Sequence, residues 1–243
     1  MPTSKEFPLK DYQAYLFDMD GTLVNSEPLK GQALALACQE YGQTVDHNVY
    51  KQVMGENWPT VTGHFFRHAG ISPDLAEFNR HFRSRYERLL NEALTLTPGA
   101  KNYIAELKRQ NKRCAVVSSA ATWMVERILS SLDLADAFDL VITQEHVTQH
   151  KPHPEAYLLA LKRLNVAAKD ALVFEDSTAG IEAGCASGCD VIAIQHEFNR
   201  HNDLSRALMS IRDFAAFLRN PRNRDKPCAG QTGCGHIGGA LCL

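Results

Sequence analysis

The stretch Tyr15-Leu16-Phe17-Asp18-Met19-Asp20-Gly21-Thr22-Leu23 joins a short apolar run to two acids one residue apart. An apolar run without alternation suits a strand covered on both faces, as in a parallel sheet. The same shape recurs at Cys114 to Ser118, Leu140 to Ile142, Ala171 to Glu175 and Val191 to Ile194. Helical patterns at Ala100 to Gln110, Trp123 to Leu132, Pro154 to Leu164 and Ala179 to Ser187 fall between most of these runs. Alternating strands and helices give an α/β fold with a doubly wound parallel sheet.

In such a sheet ligands collect beyond the carboxyl ends of the strands, so the polar residues that stop each apolar run are the candidates for chemistry. They are Asp18 and Asp20 after the first run, Ser118 at the second, Lys151 after the third, and Glu175 with Asp176 at the fourth. Taken singly, each has a plain structural reading. An Asp-x-Asp caps turns, a serine caps a helix, and a lysine lies on the surface. Taken together, they are what phosphoryl transfer through a carboxylate requires. A carboxylate can attack phosphorus and split one hard hydrolysis into two easier steps. Attack by an anion on an anion needs neutralisation by a divalent cation and a lysine. Asp18 and Asp176 are the expected Mg²⁺ ligands, since that ion takes hard oxygen donors. Lys151 is expected to pair with the phosphate, Ser118 to donate to it, and Asp20 to carry the proton of the leaving group.

Between the first two runs, Asn25 to Leu96 spans about 70 residues, too long for one crossover. It reads as an inserted helical domain. Ser26 before Pro28 is a helix start in which the serine side chain is the expected cap. Phe78 and Phe82 at helical spacing are expected to pack the core of the insert rather than touch ligand. The expected division is therefore a core of residues 1–24 and 97–219, a helical cap of 25–96 and a flexible tail of 220–243. Cys228, Cys234, His236 and Cys242 in that tail match no standard zinc spacing.

Of the 243 residues, 44% are hydrophobic and 22% charged, and the net charge is −2. This is an ordinary globular composition, without the basic field that draws nucleic acid or anionic membrane. Seven cysteines, an odd number scattered through apolar segments and the tail, read as reduced thiols. Met1 to Lys10 has no apolar run, so a cytoplasmic monomer without nucleic-acid or membrane partners is expected.

Four ordered segments carry a family resemblance: Phe17 to Leu23, Val116-Val117-Ser118-Ser119, Lys151-Pro152-His153-Pro154 and Val173 to Ile181. They resemble the motifs of the haloacid dehalogenase-like superfamily. Ser26-Glu27-Pro28-Leu29 and the helical insert resemble its capped branch, which includes sugar phosphatases, phosphoglycolate phosphatases and β-phosphoglucomutases. The resemblance implies a Mg²⁺-dependent phosphatase of a small phosphorylated metabolite. It makes Asp18 the nucleophile and Asp20 the acid/base. It assigns phosphate binding to Ser118, Ser119, Lys151 and Thr22, and Mg²⁺ to Asp18, Asp176 and the main-chain carbonyl of Asp20. Glu175 is implied as a supporting acid.

Asp20 argues against the haloacid dehalogenases and phosphonatases of the superfamily, which do not keep a second aspartate of this kind. The nearest alternative is a phosphomutase. Mutases of the family present an arginine after the glycine at Gly55 and a lysine near Phe82, where this chain has Glu56-Asn57-Trp58 and Phe82 itself. Ala120-Ala121-Thr122 stands where their Ser-Lys-Asn is expected. A non-catalytic phosphate or metal binder is the alternative of another class.

Overall fold

In the computed structural model, which describes residues 10–218, the first apolar run becomes β1 (Ala14–Phe17) near the middle of a six-stranded sheet. The other strands are β2 (Arg113–Val117), β3 (Leu140–Ile142), β4 (Ala171–Glu175), β5 (Asp190–Ile194) and β6 (Met209–Ile211). Their order is β3-β2-β1-β4-β5-β6, and every neighbouring pair is parallel. β6 has no counterpart in the sequence reading. It is three residues long, sits at an edge and exposes Ser210, so it presents no continuous apolar run.

The central strands are mainly apolar because both faces are covered. Tyr15 and Phe17 point into one layer, where Phe17 stacks on Phe174 at 5.1 Å and both pack near Phe214. Tyr103 from α4 (Ala100–Arg109) and Val125, Ile128 and Leu129 from α5 (Thr122–Ser131) complete that layer. Ala14 and Leu16 point the other way, onto Ala156, Tyr157 and Ala160 of α6 (Glu155–Leu164) and Ile181 and Ala183 of α7 (Thr178–Ala186). One face carries mostly rings and the other mostly aliphatic side chains with Tyr157 among them. Burial of each large side chain is worth roughly 1.5–3 kcal/mol.

Between β1 and α4 the chain is helical: α1 (Glu27–Gln39), a 3-10 turn at His47–Gln52, α2 (Trp58–Ala69) and α3 (Leu75–Ala93). Asn57 and Asp74 cap α2 and α3 by accepting from Thr60 and Glu77 N–H. Phe78, Phe82, Tyr86 and Leu90 recur every fourth residue along α3 and are all buried. Phe82 lies 4.7 Å from the Trp58 ring and stacks on Tyr86 at 5.3 Å. These aromatics fill the core of the insert, as their spacing predicts. The entry and exit of this segment run side by side, tied by Asn25 N–H to Thr95 O and Thr97 N–H to Leu23 O.

Ser26 departs from expectation. It precedes α1 in a helical backbone conformation and makes no side-chain cap. Its hydroxyl donates instead to Asp20 Oδ1. Pro28 in the first turn starts the helix without it. Among the described residues the four cysteines, Cys38, Cys114, Cys185 and Cys189, are free, and no helix is long and apolar enough to cross a membrane. The tail 220–243, with Cys228, Cys234, His236 and Cys242, lies outside the described residues.

Candidate active site

The site follows from strand register. Phe17 is opposite Val116 on β2 and Phe174 on β4, so the residues after these strands meet at one edge. β1 is also where the connections change direction, the switch point at which ligands bind in open sheets. Asp18 N–H donates to Phe174 O at 2.9 Å, which seats Asp18 beside Glu175 and Asp176. Ligand atoms of these three acids lie within 4.8 Å of one another, and all three residues are buried.

Lys151 comes from the loop before α6. Its Nζ donates to Asp18 Oδ1 at 2.7 Å, Glu175 Oε1 at 2.6 Å and Val117 O at 3.0 Å, so all three N–H groups are used. Only 5% of its side chain is exposed. Burial disfavours the ammonium, yet Asp18 and Glu175 outweigh it and hold the Lys151 pKa well above its ordinary value. Lys151 stays charged.

Glu175 accepts five hydrogen bonds: from Lys151, the Tyr157 hydroxyl, the N–H groups of Asp176 and Ser177, and the Ser177 hydroxyl. Its two oxygens are saturated, so it braces Lys151 and the β4–α7 loop rather than offering a free ligand. A Cβ at Gly180 would run into this carboxylate. Gly21, in a positive-φ turn at +79°, likewise leaves room for Asp176 and His196.

Ser118 is buried at the end of β2. Its Oγ accepts from Ala120 N–H at 3.0 Å, which leaves the hydroxyl proton to donate elsewhere. Ser119 lies exposed just beyond it. Thr22 is buried, with its hydroxyl 3.4 Å from Asp176 Oδ1 and its N–H donating to Met19 O at 3.3 Å.

The sequence reading missed several residues. His196 Nε2 lies 2.9 Å from Asp176 Oδ2, and Asn199 donates to Asp176 O at 2.7 Å. Both follow β5, so the strand-end rule applied to the other runs would have found them. Tyr157, which bonds Glu175, carries no such signal. Ser26, Glu27 and Lys30 gather around Asp20, with Lys30 Nζ 3.4 Å from Asp20 Oδ1 and 3.5 Å from Glu27 Oε1.

Burial pushes Asp18 and Asp176 well above the ordinary carboxylate range. Lys151 opposes the shift in both, while Glu175 and Asp176 add repulsion at Asp18, and Glu175, Glu27 and Asp20 do so at Asp176. Three carboxylates share this edge with one lysine. A hard divalent cation fits such an all-oxygen set and relieves its charge.

A sequence model described as haloacid dehalogenase-like hydrolase matches residues 15–194, which contain every residue placed so far at this edge except His196 and Asn199. The chain belongs to the haloacid dehalogenase-like hydrolases. Among proteins similar to this hydrolase is the phosphorylated carbohydrates phosphatase of Thermotoga maritima, 30% identical over 77% of this chain and 87% of that protein. Hexitol phosphatase A of Escherichia coli is 32% identical over 75% of this chain and 82% of its own length. The crystal structure of CbbY from Rhodobacter sphaeroides in complex with phosphate superposes with a TM-score of 0.78 at 28% identity, over 88% of this chain and 100% of that one. The hydrolase is a phosphoric monoester hydrolase.

Proposed function

We propose that the enzyme hydrolyses the phosphate ester of a small metabolite, a sugar phosphate or similar phosphomonoester, through a phosphoaspartate on Asp18 with Mg²⁺ as cofactor. The observation that carries this reading is the Lys151 bridge between Asp18 and Glu175 at the β1–β4 switch point, with Asp176 beside it.

Asp18 attacks phosphorus and the ester oxygen departs with a proton from Asp20. Ser118 donates to the phosphoryl oxygens, with Ser119 at the rim, and Lys151 exchanges its bond to Asp18 for one to a phosphoryl oxygen while Glu175 keeps it aimed at the reacting centre. Water then attacks the phosphoaspartate, with Asp20 taking its proton. Asp18, Asp176 and the main-chain carbonyl of Asp20 would hold Mg²⁺, which supplies Lewis-acid neutralisation of the phosphoryl charge. The helices of 25–96 act as a cap over the core formed by 1–24 and 97–219. The enzyme works as a cytoplasmic monomer, and its net charge of −2 supports no nucleic-acid or membrane partner.

The phosphomutase alternative needs a second, cationic grip on a bisphosphate. Phe82 is buried against Trp58, Arg83 lies over the Trp123 ring at 4.4 Å, Lys51 over Phe198 at 4.5 Å, and Arg85 is paired with Glu40. These cations are engaged. Incubation with β-glucose 1-phosphate, a trace of the 1,6-bisphosphate and Mg²⁺ is expected to yield free phosphate faster than glucose 6-phosphate. The reverse order would establish the mutase. EDTA is expected to abolish phosphate release from a panel of sugar phosphates, and full activity in EDTA would contradict the metal assignment.

A further inference from the structure

Lys151 directs its three donors to Asp18, Glu175 and Val117 and none to Asp176, although all three acids share the sheet edge. The Asp176 carboxylate is held instead from beyond β5, where His196 Nε2 lies 2.9 Å from Oδ2, closer than the 3.4 Å between the Thr22 hydroxyl and Oδ1. The backbone decides which ring nitrogen carries the proton. Phe198 N–H donates to His196 Nδ1 at 3.2 Å, so Nδ1 keeps its lone pair. A neutral imidazole has one N–H, which is therefore on Nε2 and meets the carboxylate.

The loop that carries the ring is fixed by Asn199, which is fully buried. Its Oδ1 accepts from His196 N–H at 2.9 Å, and its Nδ2 donates to Asp176 O at 2.7 Å and Ile194 O at 2.8 Å. One side chain thus ties the main chain of His196 to that of Asp176. Gly21 leaves the space in which ring and carboxylate meet, since a Cβ there would collide with both Asp176 Oδ2 and His196 Nε2. With 24% of its side chain exposed, His196 is not core filling.

We infer that His196 is a positioning residue for Asp176, its Nε2–H fixing the orientation in which that carboxylate meets Mg²⁺. The inference rests on the phosphatase reading above and its metal assignment. Glu175, Glu27 and Asp20 all repel the Asp176 carboxylate, and without the N–H it would turn within that field and have to be ordered by the ion on binding. Partners that orient a metal-binding side chain are worth about 10–100-fold in metal affinity. His196 bonds Asp176 and its own loop rather than Asp18 or Asp20, so its loss falls on the ion more than on the chemical step.

The test titrates Mg²⁺ alone into the full chain by calorimetry, for wild type, His196→Ala and His196→Gln, and then follows hydrolysis of p-nitrophenyl phosphate against Mg²⁺ concentration. His196→Ala is expected to weaken Mg²⁺ binding about tenfold or more. The Mg²⁺ concentration for half-maximal rate should rise in step, with a smaller loss of kcat at saturating Mg²⁺. His196→Gln, whose amide N–H can stand in for Nε2–H, is expected to recover most of the affinity. Binding by His196→Ala within about threefold of wild type, or a Gln variant as weak as the Ala variant, would overturn the inference while leaving the phosphatase reading intact. NMR of the wild-type protein with isotopically labelled histidine should show the His196 ring proton on Nε2, and a proton on Nδ1 would overturn the inference whether or not a variant folds. Wild-type protein that binds no Mg²⁺ and hydrolyses the ester in EDTA would overturn the metal assignment and the inference with it. Normal Mg²⁺ binding with no hydrolysis of any ester would overturn the phosphatase reading itself.

Discussion

At the carboxyl edge of the sheet the groups around Lys151 are saturated, whereas the groups around Asp20 at the start of α1 are not. Lys151 uses all three donors within 3.0 Å and Glu175 accepts five bonds. The ion pairs of Lys30 with Asp20 and Glu27 are longer, at 3.4 and 3.5 Å, and Glu27 Oε2 makes no hydrogen bond. The contrast separates two tasks. A saturated cluster on paired strands holds reacting groups in fixed geometry, which chemistry demands. The looser cluster on the helix is held by longer ion pairs around Asp20. Substitutions at the sheet edge should therefore lower turnover of every ester, and those on the helical side should change stability or the choice of ester.

The largest effect is expected from Asp18→Asn, because an amide cannot serve as the nucleophile. Turnover of every ester should fall by about 10⁴-fold or more, with the melting temperature not lowered. A selective loss for some esters would erase the division of labour between the two regions.

On the helical side, Phe82→Ala should cost roughly 3–5 kcal/mol of stability in denaturant unfolding, because Phe82 is buried between Trp58 and Tyr86. The helical segment unfolds before the sheet only if the two are weakly coupled, so a single unfolding transition would show that they stand or fall together.

Gly180→Ala sharpens the comparison from the other direction. The added methyl enters the space of the Glu175 carboxylate and should pull Lys151 away from Asp18. A shift of this kind should cost about 10²-fold in kcat for every ester tested. A loss confined to polyol esters would mean that Glu175 serves the leaving group.

Charge at the sheet edge gives the smallest expected effect. Asp18 and Asp176 have folded-state pKa values raised above their unfolded values, so the folded form binds more protons in the interval between the two. Stability without metal should therefore fall as pH rises above the ordinary carboxylate range toward the raised values. Bound Mg²⁺ opposes that fall. The rise in melting temperature on adding Mg²⁺ should be larger at pH 8 than at pH 5.5, and an equal rise at both would place the ion away from these two acids.

The sheet was legible where a strand is long enough to show a continuous apolar run ending in a polar residue, as at β1, β2, β3 and β4. β6 was not, because Ser210 interrupts its run, whereas the equally short edge strand β3 is apolar throughout. Asp18, Ser118, Lys151 and Asp176 could be read because strand ends converge in a parallel sheet whatever the loops do. Ser26 was misread because a local rule for helix starts favours a cap, while the tertiary partner Asp20 takes its hydroxyl instead. The sequence assigned Lys30 no role and Glu27 none beyond the resemblance, and only packing reveals that Glu27 is buried and Lys30 largely covered beside Asp20.

The central claim is that phosphate passes through Asp18. The most direct measurement mixes the enzyme with Mg²⁺ and a hydrolysed sugar phosphate, quenches in acid within the first turnover and maps phosphorylation by peptide mass spectrometry. The account predicts a hydroxylamine-labile phosphoryl group on Asp18, absent from Asp18→Asn. Phosphate released through the burst with no modified peptide, or with the group on another residue, would contradict it.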